Sequence, residues 1–244
     1  MTAVRRPPPG STIAAMKTVA LASLTADDLA SLTQLVSEGV TNDPWEAFLG
    51  ATLSDEDRRG LAFVLKHLRP FSVALNESTL WGRAIFPLLM LAETERIAAW
   101  SQVPVTGAAP AGEVAVTGVI DGVLAPEGAL GGAPGLPYLL TVEAKRGTDG
   151  GDPRPQLLGA LLATAWAQLA RTGAAPDALF GCYTIGTLWT FVQVRVTRVD
   201  DAPGWRMQMR WSREFTEALE GEKILGVLHG VVRLQERSAD ETRA

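Results

Sequence analysis

Two short segments place ionisable side chains where an apolar strand pattern should dominate. In the first, Val114, Val116, Val119, Ile120, Val123 and Leu124 surround Asp121. In the second, Leu139, Leu140 and Val142 run straight into Glu143, with Lys145 two positions on. Charged groups at the ends of buried strands are costly unless they are paired or bind a metal. Taken singly, Asp121 and Glu143 read as ordinary strand-end carboxylates in solvent; together with Lys145 they read as a site. Side chains two apart on a strand share a face, so Glu143 and Lys145 point the same way. An Asp121 strand pairing beside them would bring two carboxylates and one ammonium together. Such a pair with open water positions suits Mg2+, with Mn2+ as a substitute, and the carbonyl of Ala144 offers a third oxygen. Lys145 would position or deprotonate an attacking water and offset phosphate charge, a role closed to an always-protonated guanidinium. The chain has four lysines (Lys17, Lys66, Lys145, Lys223) against eighteen arginines, and only Lys145 has an acid two positions before it. The chemistry this set fits is metal-assisted hydrolysis of a phosphodiester.

The elements that must position these groups are two strands, 113–124 and 137–145, joined by the Gly/Pro-rich hairpin loop 125–135. A turn through Asp152 and Pro153 leads to a helix over 154–171, with Pro153 and Pro155 suited to its start. Gln156 falls in its first turn and can reach back to the strand ends. Upstream, a long helix from Glu77 carries Leu80, Ala84, Leu88, Leu91 and Ile97, kinked at Pro87. Downstream, strands over 179–185, 188–199 and 205–211 complete a mixed sheet, and a helix pair over 213–236 closes the chain. On the last strand Arg206, Gln208 and Arg210 share one face, with Gln193 and Arg195 on the facing strand. That strip is either a solvated sheet face or a set of phosphate contacts.

Residues 24–70 read as a helical extension. Thr25 caps a helix opened by Asp27 and Asp28, with Leu29, Leu32, Leu35 and Val36 at helical spacing. Ser54 opens a second helix, with Leu61, Val64, Leu65 and Leu68 on its apolar face and Pro70 at its end. Residues 1–23 and the chain beyond Ser238 read as disordered tails, residues 71–212 as the core and 213–244 as C-terminal helices and tail.

At 244 residues and 47% apolar content, the chain can bury a sizeable core. The single Cys182 rules out an internal disulfide, which fits a cytoplasmic protein. Two histidines and one cysteine leave no His/Cys zinc cluster and no Cys–His nucleophile pair. No apolar run has membrane-spanning length. The net charge of −5 argues mildly against non-specific nucleic-acid binding. Residues 71–150 nevertheless hold eight acids and four bases, while 151–212 hold four acids and six bases. An acidic site beside a more basic flank is compatible with a metal centre next to phosphate contacts. The seven tryptophans read as core and packing residues, Phe191 beside Trp189 likewise as core, and His67 and His229 as structural.

The order Asp121, then Glu143-x-Lys145 at the end of an apolar strand, then a helix opening with Gln156, resembles the PD-(D/E)XK nuclease superfamily. Glu77 matches the acid on the helix before the sheet, with Glu93 and Glu95 as weaker matches. The stretch Gly181–Phe191 resembles the strand, turn and Trp-x-Phe strand of restriction-enzyme-like members. The likeness covers Glu77 to Val199 and departs at Ile120, where the superfamily often has Pro. It implies a restriction-endonuclease-like α/β fold, a mixed sheet flanked by helices. It also implies Mg2+ (or Mn2+) held by Asp121, Glu143 and Ala144, with Asp121, Glu143, Lys145, Gln156 and Glu77 as catalytic residues. The implied substrate is nucleic acid, DNA first; no membrane partner is expected, and the assembly, a homodimer or a complex with a partner protein, is left open. The alternative is a catalytically inactive accessory or assembly module on the same fold.

Overall fold

The computed structural model describes residues 16–50, 52–68, 76–110, 112–129, 131–145 and 151–243, with side chains described to residue 237. Residues 1–15 of the expected tail, Pro70 as a helix stop and the turn residues 146–150 lie outside the described residues.

Eight strands form one mixed sheet: β1 (Lys17–Ala20), β2 (Gln34–Val40), β3 (Ile97–Ala108), β4 (Val114–Pro126), β5 (Leu140–Lys145), β6 (Leu179–Ile185), β7 (Leu188–Arg198) and β8 (Trp205–Thr216). The order is β1-β4-β5-β6-β7-β8-β2, with β3 paired to β4. β3 runs antiparallel along one edge of β4, so β5 and β1 share the other edge, at Gly122–Leu124 and Val114–Thr117 respectively. β5 and β6 are parallel and are joined through the long helix α6 (Arg154–Thr172 below).

Helices cover both faces. On one face lie α1 (Ala26–Leu32) and α6 (Arg154–Thr172). α6 buries Leu157, Leu161, Leu162 and Trp166 against Val103, Ile120, Val123 and Val194. It begins with Pro155 and ends on Gly173, whose φ of 80° suits a residue without Cβ. Gly107 lies directly under Ala163, so a side chain there would meet the α6 backbone. On the other face lie α2 (Trp45–Leu49), α3 (Asp55–Leu68), α4 (Glu77–Leu80), α5 (Phe86–Met90) and α7 (Glu217–Arg243). Their apolar sides meet Leu140, Val142, Ala144, Trp189 and Phe191. No helix among the described residues is long and apolar enough to cross a membrane.

Several expectations are corrected. Lys17–Ala20 is not tail but a strand paired in parallel with β4. The helix capped by Thr25 stops at Leu32, and Leu35 and Val36 belong to β2, which pairs with β8 at the sheet's edge. Residues 24–70 are therefore not purely helical. The long helix expected from Glu77 is α4, a π-helical turn over Trp81–Ile85 and then α5; Ile97 lies in β3, a strand absent from the sequence reading. β8 runs on to Thr216, and one kinked helix, irregular at Glu220, extends to Arg243 where a tail was expected beyond Ser238.

Glu217 opens α7 wholly buried. Its Oε2 accepts from Trp189 Nε1 at 3.2 Å, while its Oε1 has no hydrogen-bond partner among the described residues. Burial pushes its carboxyl up from 4.5 to about 7, against a smaller opposing pull from the Trp189 bond. Between these values the folded chain holds a proton that the unfolded chain has released. Stability is therefore highest below the unfolded value and falls as pH rises through about 7, by up to about 3 kcal/mol for a shift of this size. Glu143, also raised to about 7, contributes with the same sign. Urea unfolding of wild type from about pH 5 to pH 8 is expected to show this decline, and Glu217→Gln to reduce it by about half. An identical slope in the variant would contradict the buried-acid account.

Candidate metal centre

The three residues singled out by the sequence meet where β5 ends, beside the middle of β4. The β4–β5 ladder ends at Gly122–Val142, and the next opposed residues in that register are Asp121 and Glu143. Opposed residues on antiparallel strands point to the same face. The next β5 donor facing β4, the Ala144 N–H, is taken by the Asp121 side chain, whose Oδ2 accepts it at 2.9 Å. Lys145 Nζ lies 2.8 Å from Glu143 Oε1. In an extended strand a residue's N–H and C=O point to the same edge. The Ala144 carbonyl thus faces β4 beyond the end of the ladder, beside Asp121, while the Lys145 carbonyl turns the other way to accept from Gly186 N at 2.8 Å.

Glu143 is only 6% exposed, and Asp121 and Lys145 are half-buried. Burial raises the Asp121 pKa, more than the Ala144 N–H and the Lys145 charge lower it. Burial and then repulsion from Asp121 lift Glu143 to about 7, against the pull of Lys145. Burial pushes the Lys145 ammonium down, but the Glu143 hydrogen bond and the charges of Glu143 and Asp121 carry its pKa above the usual lysine value. Two effects combine: burial disfavours the charged carboxylates, and the acids outnumber the single cation, so the site favours any added positive charge, whether a proton or a metal ion.

Glu77 adds to that excess. It stands exposed in the first turn of α4, capped by Asn76, and its charge raises the pKa values of Asp121, Glu143 and Lys145 without a hydrogen bond to any of them. Gln156 is half-buried in the first turn of α6 and makes no hydrogen bond to Asp121, Glu143 or Lys145. Glu93 is occupied elsewhere, its Oε1 accepting from Ala99 N at 2.8 Å. Among the described residues no group of three or more His, Cys, Asp or Glu side chains gathers as a metal cage. The donor set still fits Mg2+, which keeps several waters and takes one or two protein carboxylates.

Three neighbours escaped the sequence reading. Gln102 Nε2 donates to Asp121 Oδ1 at 3.4 Å; Ser101 Oγ donates to the Asp121 carbonyl at 3.3 Å and accepts from Trp81 Nε1 at 3.1 Å. The signal in the sequence is the polar Ser101-Gln102 pair inside the run Ile97–Ala108, obscured because Ser101 and Pro104 dilute the strand pattern of that run. The polar strip on β8 exists, with Gln193 opposite Arg210 and Arg195 opposite Gln208. Arg210 is ion-paired, with Glu38 at 2.7 Å and Asp43 at 3.2 Å, whereas Arg206 donates to the neutral amide of Gln34 and Arg195 to the Asp177 carbonyl, so both keep their charge. Trp189 and Phe191 are fully buried, as expected for core. No family model and no curated protein sequence matches the chain.

Proposed function

We propose that this protein is a divalent-metal-dependent endonuclease of restriction-endonuclease-like fold that hydrolyses DNA phosphodiester bonds by attack of water. The observation that carries the reading is the convergence of Asp121 and Glu143 from adjacent strands, with Lys145 Nζ 2.8 Å from Glu143, in a largely buried site with excess negative charge.

The Asp121 and Glu143 carboxylates and the Ala144 carbonyl would hold Mg2+ or Mn2+. Such an ion supplies Lewis-acid polarisation and lowers the pKa of water. The chain's own residues do the rest. The Ala144 N–H fixes Asp121 Oδ2, leaving Oδ1, which meets only the long 3.4 Å contact from Gln102 Nε2, as the oxygen for a metal. Lys145 is held protonated by Glu143 and Asp121 in the metal-free protein. When Glu143 turns its charge elsewhere, that hold weakens, and Nζ becomes free to face a phosphate oxygen or exchange a proton with water. Glu77 and Gln156, from two different helices, are assigned to the rim of the same pocket, Gln156 to orient the water.

The second reading, an inactive accessory module, is favoured by one observation: Arg210 of the β8 strip is already neutralised by Glu38 and Asp43, and the Arg206 guanidinium is held by Gln34, which weakens the strip as a contact for a nucleic-acid backbone. The test is incubation of the purified protein with plasmid, linear DNA and RNA in Mg2+, Mn2+, Ca2+ or EDTA. Cleavage of DNA in Mg2+ and Mn2+ but not in EDTA is expected. Ca2+, which accepts looser geometry and more ligands, should bind without supporting it. Full activity in EDTA would sink the mechanism; metal binding with no cleavage of any substrate would favour the accessory module.

A further inference from the structure

Side chains along a strand alternate between faces, yet β3 and β4 both break that alternation at the same place. In β4, Val116 and Ile120 pack into the α6-side cluster, and Gly118 lies against Leu21 of that cluster. From Gly122 on the parity is reversed: Gly122 lies against Trp81 and Leu89, Leu124 joins the opposite cluster, and Val123 and Ala125 face α6. In β3, Val103 and Val105 pack on the α6 side, whereas Ile97 packs on the other. Both reversals fall between the pairs Ser101–Gly122 and Val103–Ile120. The two residues inside that interval are Gln102 and Asp121. Gln102 has φ 55°, and it is the one non-glycine with positive φ among the described residues.

The reversal decides where Asp121 points. Had β4 kept the alternation of Val116 and Ile120, Asp121 would face the side of Val142 and Ala144, away from Glu143. The geometry points to Gln102 as a positioning residue: its left-handed backbone turns Asp121 onto the face of Glu143, where Oδ2 reaches the Ala144 N–H. The backbone carries this role and the side chain little of it, since the amide contact to Oδ1 is long at 3.4 Å. The Asp121 carbonyl is correspondingly served by the Ser101 hydroxyl. Residues that distort paired strands next to a site re-aim a side chain in this way.

The inference rests on the metal-centre reading only for its effect on metal affinity, so the test has two arms. Gln102→Gly keeps the left-handed conformation at no steric cost, whereas Gln102→Val, β-branched, resists it. The first arm is amide hydrogen exchange at Ala144 without metal. Wild type and Gln102→Gly should protect that amide alike, and Gln102→Val should lose at least about tenfold in protection there while β6 amides stay protected. The second arm is Mn2+ titration by calorimetry, where Gln102→Val should bind about 10–100-fold more weakly and Gln102→Gly as wild type. If Gln102→Val does not fold, Gln102→Ala gives the same order with smaller amplitude. Wild-type protection of Ala144 in the folded Val variant would overturn the inference, as would a Gly variant that loses as much as Val. Should wild type bind no Mn2+ while Ala144 protection follows the expected order, the metal reading fails and the positioning role stands.

Discussion

Asp121→Asn is expected to abolish cleavage and to erase the Mg2+-induced rise in melting temperature, with little change in the metal-free melting point. The asparagine oxygen can still accept the Ala144 N–H that Oδ2 now takes at 2.9 Å, so the strand ends stay joined. The variant removes a charge from a pocket where burial and crowding already raise carboxyl pKa values, which relieves repulsion on Glu143. What it loses is half of the carboxylate pair. Saturation at about 100 times the dissociation constant stabilises a protein by about 2.7 kcal/mol, or about 5–10 °C in Tm for a chain of this size. That shift should vanish in Asp121→Asn. A variant that keeps the full shift would remove Asp121 from the ligand set.

Lys145→Met should behave in the opposite way with respect to metal. Cleavage is expected to fall by about 10²–10⁴, the usual contribution of a positioned proton-transfer group. The Mg2+ shift in Tm should be at least as large as in wild type. In the metal-free protein Lys145 partly offsets the charges of Glu143 and Asp121, so a metal must compete with it. Without the ammonium, two carboxylates are left in a buried site with no cation. The metal-free variant is therefore destabilised toward higher pH, where Glu143, its pKa raised further by the loss of the Lys145 hydrogen bond and charge, must ionise without a cation, and added metal recovers the loss. A Mg2+ shift that shrinks as far as in Asp121→Asn would make Lys145 a structural ion-pair partner rather than a reacting group.

The parts of this architecture that depend on short-range pattern were legible in the sequence, and the parts that depend on distant pairing were not. Helix α6 is marked by Pro155 and Gly173 at its ends and a dense apolar run between. β6 is bounded by apolar alternation and the Gly186 turn. The shared face of Glu143 and Lys145 follows from a period of two, and the Gly/Pro-rich connection that follows Pro126 sets Asp121's strand beside theirs, although Ala125 and Pro126 of the expected loop belong to β4. β2 was hidden because Leu35 and Val36 extend the helical spacing of Leu29 and Leu32; only pairing with β8, far along the chain, makes them strand. β3 was hidden because Ile97 fits the spacing of the preceding helix and Pro104 and Ser101 dilute its strand pattern. The same gap concealed Ser101 and Gln102, whose effect on Asp121 depends on a backbone conformation that residue type does not announce. Gln156 was legible as a helix-opening residue, but its side chain makes no bond to the strand-end charges that would have marked it further.

The most direct test is a crystal soaked in Mn2+ and measured for anomalous scattering. An anomalous peak is expected between the Asp121 and Glu143 carboxylates, within about 2–2.5 Å of an oxygen of each and of the Ala144 carbonyl, with Lys145 Nζ moved off Glu143 Oε1 from its present 2.8 Å. Crystals saturated with Mn2+ that show no peak there, with Lys145 still paired to Glu143, would contradict the metal centre and the hydrolytic function built on it.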